Sequence, residues 1–162
     1  MVERASRVIA EAFADAVARF RAVYGWERRL HDLVVWATPP RLARILGLVD
    51  DIGTDERVCR ILALALLPVW PVWAIAVWGA GPLEEYLKWL AGRPRPSNDG
   101  SWGLPSGDAV LSTVFYSLLG WWAAPIVVAT CWARVVRQAH WPLDIIAGVA
   151  VGLLLVGGIR GL

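Results

Sequence analysis

His140-Trp141-Pro142-Leu143-Asp144, with Arg134 six positions upstream, sits between two strongly apolar stretches, and its reading decides how the rest of the chain is arranged. On a helical turn His140 and Asp144 stand at i and i+4, so a carboxylate can hold one imidazole nitrogen while the other is aimed outward as a nucleophile or base. Two further polar clusters punctuate the apolar sequence: Lys88 with Arg95-Pro96, and Pro105-Ser106-Gly107-Asp108. A chain that places its single lysine, two arginines and a histidine in three short clusters calls for a chemical explanation, and phosphate binding is the most economical one.

The composition sets the solvent. With 162 residues, 57% of them hydrophobic, 19% charged and eleven tryptophans, the chain reads as one domain of a membrane protein. A net charge of +2, with no basic run interleaved with exposed polar residues, argues against nucleic acid as a partner. Cys59 and Cys131 lie in or beside apolar stretches without ligand-like spacing and read as buried small hydrophobes. The N-terminus alternates charge with alanine, which is not the pattern of a signal peptide.

Working along the chain, Glu3 to Tyr24 reads as an amphipathic helix ended by Gly25, followed by a second from Glu27 to Trp36 and a short one from Arg41 to Val49. His31, alone among charges, reads as a solvated or interfacial histidine. Asp50 to Glu56 reads as a hydrated connection. Val58 to Ala80 is the first stretch of spanning length, kinked at Pro68 and Pro71 and closed by Gly79, Gly81 and Pro82. Leu83 to Leu90 then forms a short helix whose Glu84, Glu85 and Lys88 cannot face lipid at low cost. Gly92 to Pro105 is a loop, with Asn98-Asp99-Gly100 as turn chemistry. Ser106 to Ala123 is a second span, Pro125 to Arg137 a third, and Leu143 to Ile159 a fourth. Gly148 and Gly152 in that last helix form a G-x-x-x-G that would let another helix approach closely. A homo-oligomer is compatible with such a bundle. The expected fold is therefore an all-α integral membrane bundle with amphipathic N-terminal helices and about four membrane-embedded helices.

The tight connection at Gly120 to Pro125 turns the chain back, so the start of the second span and the end of the third share a face, to which the first span also delivers Lys88 and Arg95. The chemistry there suits a phosphoryl group. Lys88, Arg95 and Arg134 supply positive charge, the last two as bidentate donors. Ser106 and Gly107 open a helix whose free N–H groups and dipole favour an anion. His140, oriented by Asp144, is placed for in-line attack to give a phosphohistidine that water hydrolyses. The scheme uses no metal or other cofactor.

K-x6-R-P at Lys88 to Pro96, P-S-G at Pro105 to Gly107 and R-x5-H-x3-D at Arg134 to Asp144 together resemble the three-part signature of the type 2 phosphatidic acid phosphatase superfamily, which includes membrane lipid phosphatases and the vanadium haloperoxidases. Order and spacing jointly are specific, although the match covers only about a third of the chain, Lys88 to Asp144. The resemblance implies a helical bundle and a metal-independent phosphatase acting on phosphatidate, phosphatidylglycerophosphate, polyprenyl diphosphate or a similar lipid, with His140 as nucleophile.

Two departures stand out. Ala133 replaces the serine that precedes the third-motif arginine, and Asp108 replaces the histidine after P-S-G that serves the superfamily as general acid. An aspartate beside three cations is a poor proton donor at neutral pH until substrate neutralises them. Either Asp108 acts once substrate is bound, or the leaving group is itself a phosphate, or turnover is impaired and the chain binds lipid phosphates or transfers the phosphoryl group to another lipid. Taken singly, Lys88 and Arg95 would read as snorkelling interfacial residues, His140 with Asp144 as a structural pair, and Ser106 with Asp108 as helix caps. Ten arginines up to Arg60, assigned to the same side as Arg160 and opposite the motifs, predict an outward-facing site in the cell inner membrane.

Overall fold

The computed structural model describes residues 24–97 and 99–161; the helix expected over Glu3 to Tyr24, and Asn98, lie outside them. Helix α1 occupies 24–37, running through Gly25 rather than ending there. It is followed by α2 (Pro40–Gly53), α3 (Glu56–Leu66), α4 (Pro71–Ala91), α5 (Gly107–Tyr116), a 3-10 segment (Ser117–Ala123), α6 (Ala124–Val136) and α7 (Pro142–Gly161). No strand occurs among the described residues, only an isolated bridge between Pro94 and Trp102 in the loop before α5.

The expected first span is two helices. Pro68 falls in a turn after α3, and Pro71 opens α4 as a first-turn proline, where its missing N–H is no loss. From there α4 continues through Gly79, Gly81 and Pro82, which do not close it, to Gly92 in a left-handed cap. Lys88 therefore rides on the same 21-residue helix as the apolar start. The α5–α6 reversal occurs at Gly120, whose φ of 63° and ψ of −148° lie outside helical space.

Helix α5 is the hub, packing most heavily on α7 and then on α4 and α6. A core of Cys59, Ala63, Trp73, Val77, Leu111, Val114 and Val156 joins α3, α4, α5 and α7, and Trp73 donates its indole N–H to the Val114 carbonyl at 2.9 Å. The G-x-x-x-G face is consumed inside the chain: a Cβ on Gly148 would stand 2.5 Å from the Ser106 carbonyl oxygen, and one on Gly152 2.6 Å from Thr113 Cβ. The helix that approaches closely is α5.

Outward, the bundle presents Ile75, Leu154, Val128, Trp121 and Trp122, all more than half exposed. In water such a surface would drive association; in a bilayer it is the lipid-facing side of an integral membrane protein. Gly107–Val136, which contains the reversal, and Pro142–Gly161 are each long and apolar enough to cross a membrane.

Candidate active site

The R-x5-H spacing corresponds to a helix ending. Helix α6 finishes in a Schellman motif: Ala139 N–H donates to the Arg134 carbonyl at 3.0 Å, Gln138 N–H to the Val135 carbonyl at 2.9 Å, and Gln138 takes the left-handed conformation at φ 57°. His140 N–H reaches the same Arg134 oxygen at 3.3 Å, so the imidazole is fixed one step beyond the turn. Pro142 opens α7, and Asp144 in its first turn reaches back to accept the Trp141 N–H at 2.9 Å, as the acidic half of a capping box does.

His140 thus precedes the helix, and the expected i, i+4 pairing with Asp144 is indirect. His140 Nδ1 lies 3.7 Å from Asp144 Oδ2 with no hydrogen bond between them, while the Gly103 carbonyl is 2.9 Å away. A carbonyl can only accept, so this contact places a proton on Nδ1, and in the neutral ring the lone pair is then on Nε2. The ring is buried at 1% exposure and lines a cavity of about 420 Å³, and Nε2 has no hydrogen-bond partner among the described residues.

Lys88, Arg95, Gly107 and Asp108 line the same cavity. Arg95 Nε donates to the Trp102 carbonyl at 3.2 Å and makes no ion pair among the described residues. Arg134 stands just behind, paired through one amino group with Asp108 and through the other with Asp50 at 3.0 Å. Ser106 also lies behind the wall; its N–H donates to the Asp144 carbonyl at 2.9 Å, binding α5 to α7, and its buried hydroxyl has no partner among the described residues. It does not act as a side-chain cap. Five of the eight residues singled out in the sequence therefore line one cavity, Lys88, Arg95, Gly107, Asp108 and His140, and Arg134 is joined to it through Asp108. Ser106 and Asp144 stand behind it as framework.

Four residues that matter here escaped the sequence reading. Gly103 supplies the carbonyl that sets the His140 tautomer. Glu84 lines the cavity and pairs with Lys88. Arg93 is buried, joining Asp144 at 2.9 Å, Glu27 and the Tyr24 hydroxyl at 3.0 Å. Glu27, 0% exposed, also accepts the Leu143 N–H at 2.8 Å, so α1 is latched onto the start of α7. Burial works to lower the Arg93 pKa, but Asp144, Glu27 and Tyr24 together outweigh it and raise it further, so the guanidinium remains charged.

Two readings of N-terminal residues are corrected. Asp50 is in α2, buried at 1% exposure, accepting from Arg134 and from Arg137 at 2.9 Å rather than lying in a hydrated connection. His31 is buried at 4% exposure against the Trp141 ring, 5.3 Å between centroids, rather than solvated. Both burials arise because α1 meets Arg93 and Leu143, and α2 meets Arg134 and Arg137, at the motif end of the bundle, whereas the arginine count predicts the N-terminal region at the opposite end.

Outside the helices, Asp99 closes its turn by accepting from Ser101 and Ser97, and the Ser101 hydroxyl and N–H hold its pKa down at about 2. The Arg137 guanidinium lowers the Asp51 pKa through a hydrogen bond, which clips α2 to the end of α6. A larger groove of about 680 Å³ runs between α5, α6 and α7, but it is lined by Val128, Ile146, Leu153 and similar side chains, with Arg160 its sole charged group, and it contains none of the motif residues.

A helical membrane bundle thus gathers a buried imidazole, a lysine, an arginine and a helix start around one cavity. Comparison with solved structures names the fold. The chain superposes on the crystal structure of a transmembrane PAP2-type phosphatidylglycerolphosphate phosphatase from Bacillus subtilis with a TM-score of 0.72 at 18% identity, over 86% of this chain and 85% of that one. It is also similar to Aquifex aeolicus LpxE, with a TM-score of 0.70 at 18% identity, over 83% of this chain and 94% of that one. The fold is thus the one seen in these two solved structures. No family model matches the sequence, and no curated protein matches it either.

Proposed function

We propose that this protein is a membrane lipid phosphatase that hydrolyses a lipid phosphate or diphosphate through a phosphohistidine on His140. The observation that carries the reading is the tautomer: with Nδ1 bound to the Gly103 carbonyl, Nε2 keeps its lone pair in a cavity that also holds Lys88, Arg95 and the start of α5. Lys88, Arg95 and Arg134 would bind the non-bridging oxygens, and the first-turn N–H groups at Gly107 would add uncharged donors. Nε2 attacks phosphorus in line, and water then cleaves the N–P bond. Asp144 acts as a positioning residue through the α7 cap and Arg93. Asp108 pairs with Arg134 and competes with the phosphate for it. The substrates that suit an apolar bundle and this cavity are phosphatidate, phosphatidylglycerophosphate or a polyprenyl diphosphate, and the domain is a single unit.

The side of the membrane follows the arginines. Because Glu27 of α1 meets Arg93 at the motif end, Arg28 and Arg29 join Arg93 and Arg137 there, against Arg160 at the other, and the bias turns toward a cytoplasmic site instead of an outward one. The test of function is phosphate release from lipid mono- and diphosphates in mixed micelles by the purified chain. Release that His140→Ala abolishes supports the reading; binding without release, or equal release by the variant, overturns it.

A further inference from the structure

The proposed site has an unresolved chemical need: a proton for the leaving oxygen. Asp108 is poorly suited to give it, because its carboxylate is locked to Arg134, a guanidinium already anchored by the buried Asp50. Glu84 is in a different position. It is 9% exposed, lines the same cavity as His140, and its one ion-pair partner among the described residues is Lys88, one turn further along α4. Its carboxylate also presses on the start of α5: a Cβ on Gly107 would stand 2.6 Å from Glu84 Cδ and Oε1 and 2.7 Å from Oε2. Glu84 therefore stands between Lys88 and the first turn of α5, the two groups to which the phosphatase reading gives the phosphate oxygens.

We infer that Glu84 is the general acid of this site, armed by the substrate itself. The inference rests on the phosphatase reading above. When a phosphate takes Lys88 as its own counter-ion, Glu84 is left buried beside an anion with no cation to balance it. The other charged groups around the cavity do not rescue it: Glu85 on α4, Asp108 on α5 and Glu56 on α3 are like charges, Arg60 is paired with that Glu56, and Arg95 faces the incoming phosphate. A carboxylate so placed takes up a proton from solvent. In the first step the His140 Nε2–P bond forms, the P–O bond to the lipid breaks, and the Glu84 proton goes to the leaving oxygen, giving an alcohol. In the second, a water oxygen bonds to phosphorus, the N–P bond breaks, and the water proton returns to the Glu84 carboxylate. This would relieve the chain of the histidine that Asp108 replaces.

The experiment uses the full chain in mixed micelles with two substrates, phosphatidate, whose alkoxide needs a proton to leave, and p-nitrophenyl phosphate, whose phenolate does not. Glu84→Gln should lower kcat on phosphatidate about 100-fold and on p-nitrophenyl phosphate by only about 3-fold. Independently, calorimetry of sulfate binding in two buffers of different ionisation enthalpy should show uptake of about one proton by the unaltered protein and close to none by Glu84→Gln. Equal losses on both substrates, or sulfate binding without proton uptake, overturn the inference while leaving the phosphatase reading intact if His140→Ala remains inactive on both. Absence of phosphate release by the unaltered chain overturns both.

Discussion

Replacing Arg93 by alanine tests the frame on which His140 depends. Arg93 is 8% exposed and joins Asp144 and Glu27, each 0% exposed, so its removal strands two carboxylates inside the protein. Breaking one partner from a buried ion pair costs about 3–5 kcal/mol. An independent bound comes from neutralisation. A stranded carboxylate takes a proton, and for an ordinary carboxylate pKa near 4 this costs about 4 kcal/mol at pH 7, at about 1.4 kcal/mol per pH unit. Breaking the network therefore costs about 3–5 kcal/mol at neutral pH, below the roughly 8 kcal/mol ceiling set by neutralising both carboxylates, and the loss shrinks by about 1.4 kcal/mol per pH unit for each carboxylate that takes a proton as pH falls. The assay is equilibrium unfolding in mixed micelles of increasing denaturing-detergent fraction, followed by tryptophan fluorescence. Glu27→Gln added to Arg93→Ala should recover about 1–2 kcal/mol, since it removes one of the stranded charges. Arg93→Lys should not restore the network, because one ammonium cannot reproduce the guanidinium's split between two carboxylates and a phenol. A loss below about 1 kcal/mol without pH dependence would refute the reasoning.

Gly148→Val should cost at least about 1–3 kcal/mol, because even its Cβ meets the Ser106 carbonyl oxygen at 2.5 Å and Ala109 Cβ at 2.8 Å; thermal unfolding and phosphate release should fall together as α7 is pushed off α5. Asp108→Asn removes a carboxylate from the phosphate cavity and frees Arg134, so inhibition by inorganic phosphate should tighten about 5-fold, equivalent to about 1 kcal/mol, and a weakened inhibition constant would contradict the assigned role. A cysteine at the exposed Ser97 should be shielded from a membrane-impermeant maleimide in intact cells and labelled after lysis, as a cytoplasmic loop would be; labelling of intact cells would restore the outward-facing site.

The site was legible in the sequence to the extent that its chemistry is local. R-x5-H is one Schellman turn, Asp144 caps the helix three residues after Trp141, and the small side of α7 announces itself at Gly148, so these could be read without coordinates. What depends on a distant partner could not. Glu27 finds Arg93 and Asp50 finds Arg134 across long sequence separations, and a charged residue flanked by polar neighbours looks solvated until that partner is known. The same limit hid His31 behind Trp141. Helix α4 misled for a different reason. Gly79, Gly81 and Pro82 are breakers by local propensity, but the helix carries Pro82 inside it, and Gly81 admits the Arg60 guanidinium close to the backbone, where a Cβ would stand 2.7 Å from it. Tertiary packing overrode the punctuation, and the one break that did occur fell at Pro68, where the chain passes from α3 to α4.

The central claim is that His140 Nε2 attacks phosphorus, and rapid quenching during turnover tests it most directly. With a lipid substrate labelled at the phosphoryl group, the account predicts an acid-labile, base-stable label on the peptide containing His140, absent from His140→Ala, which also releases no phosphate. Label on another residue, or undiminished phosphate release by His140→Ala, would contradict it.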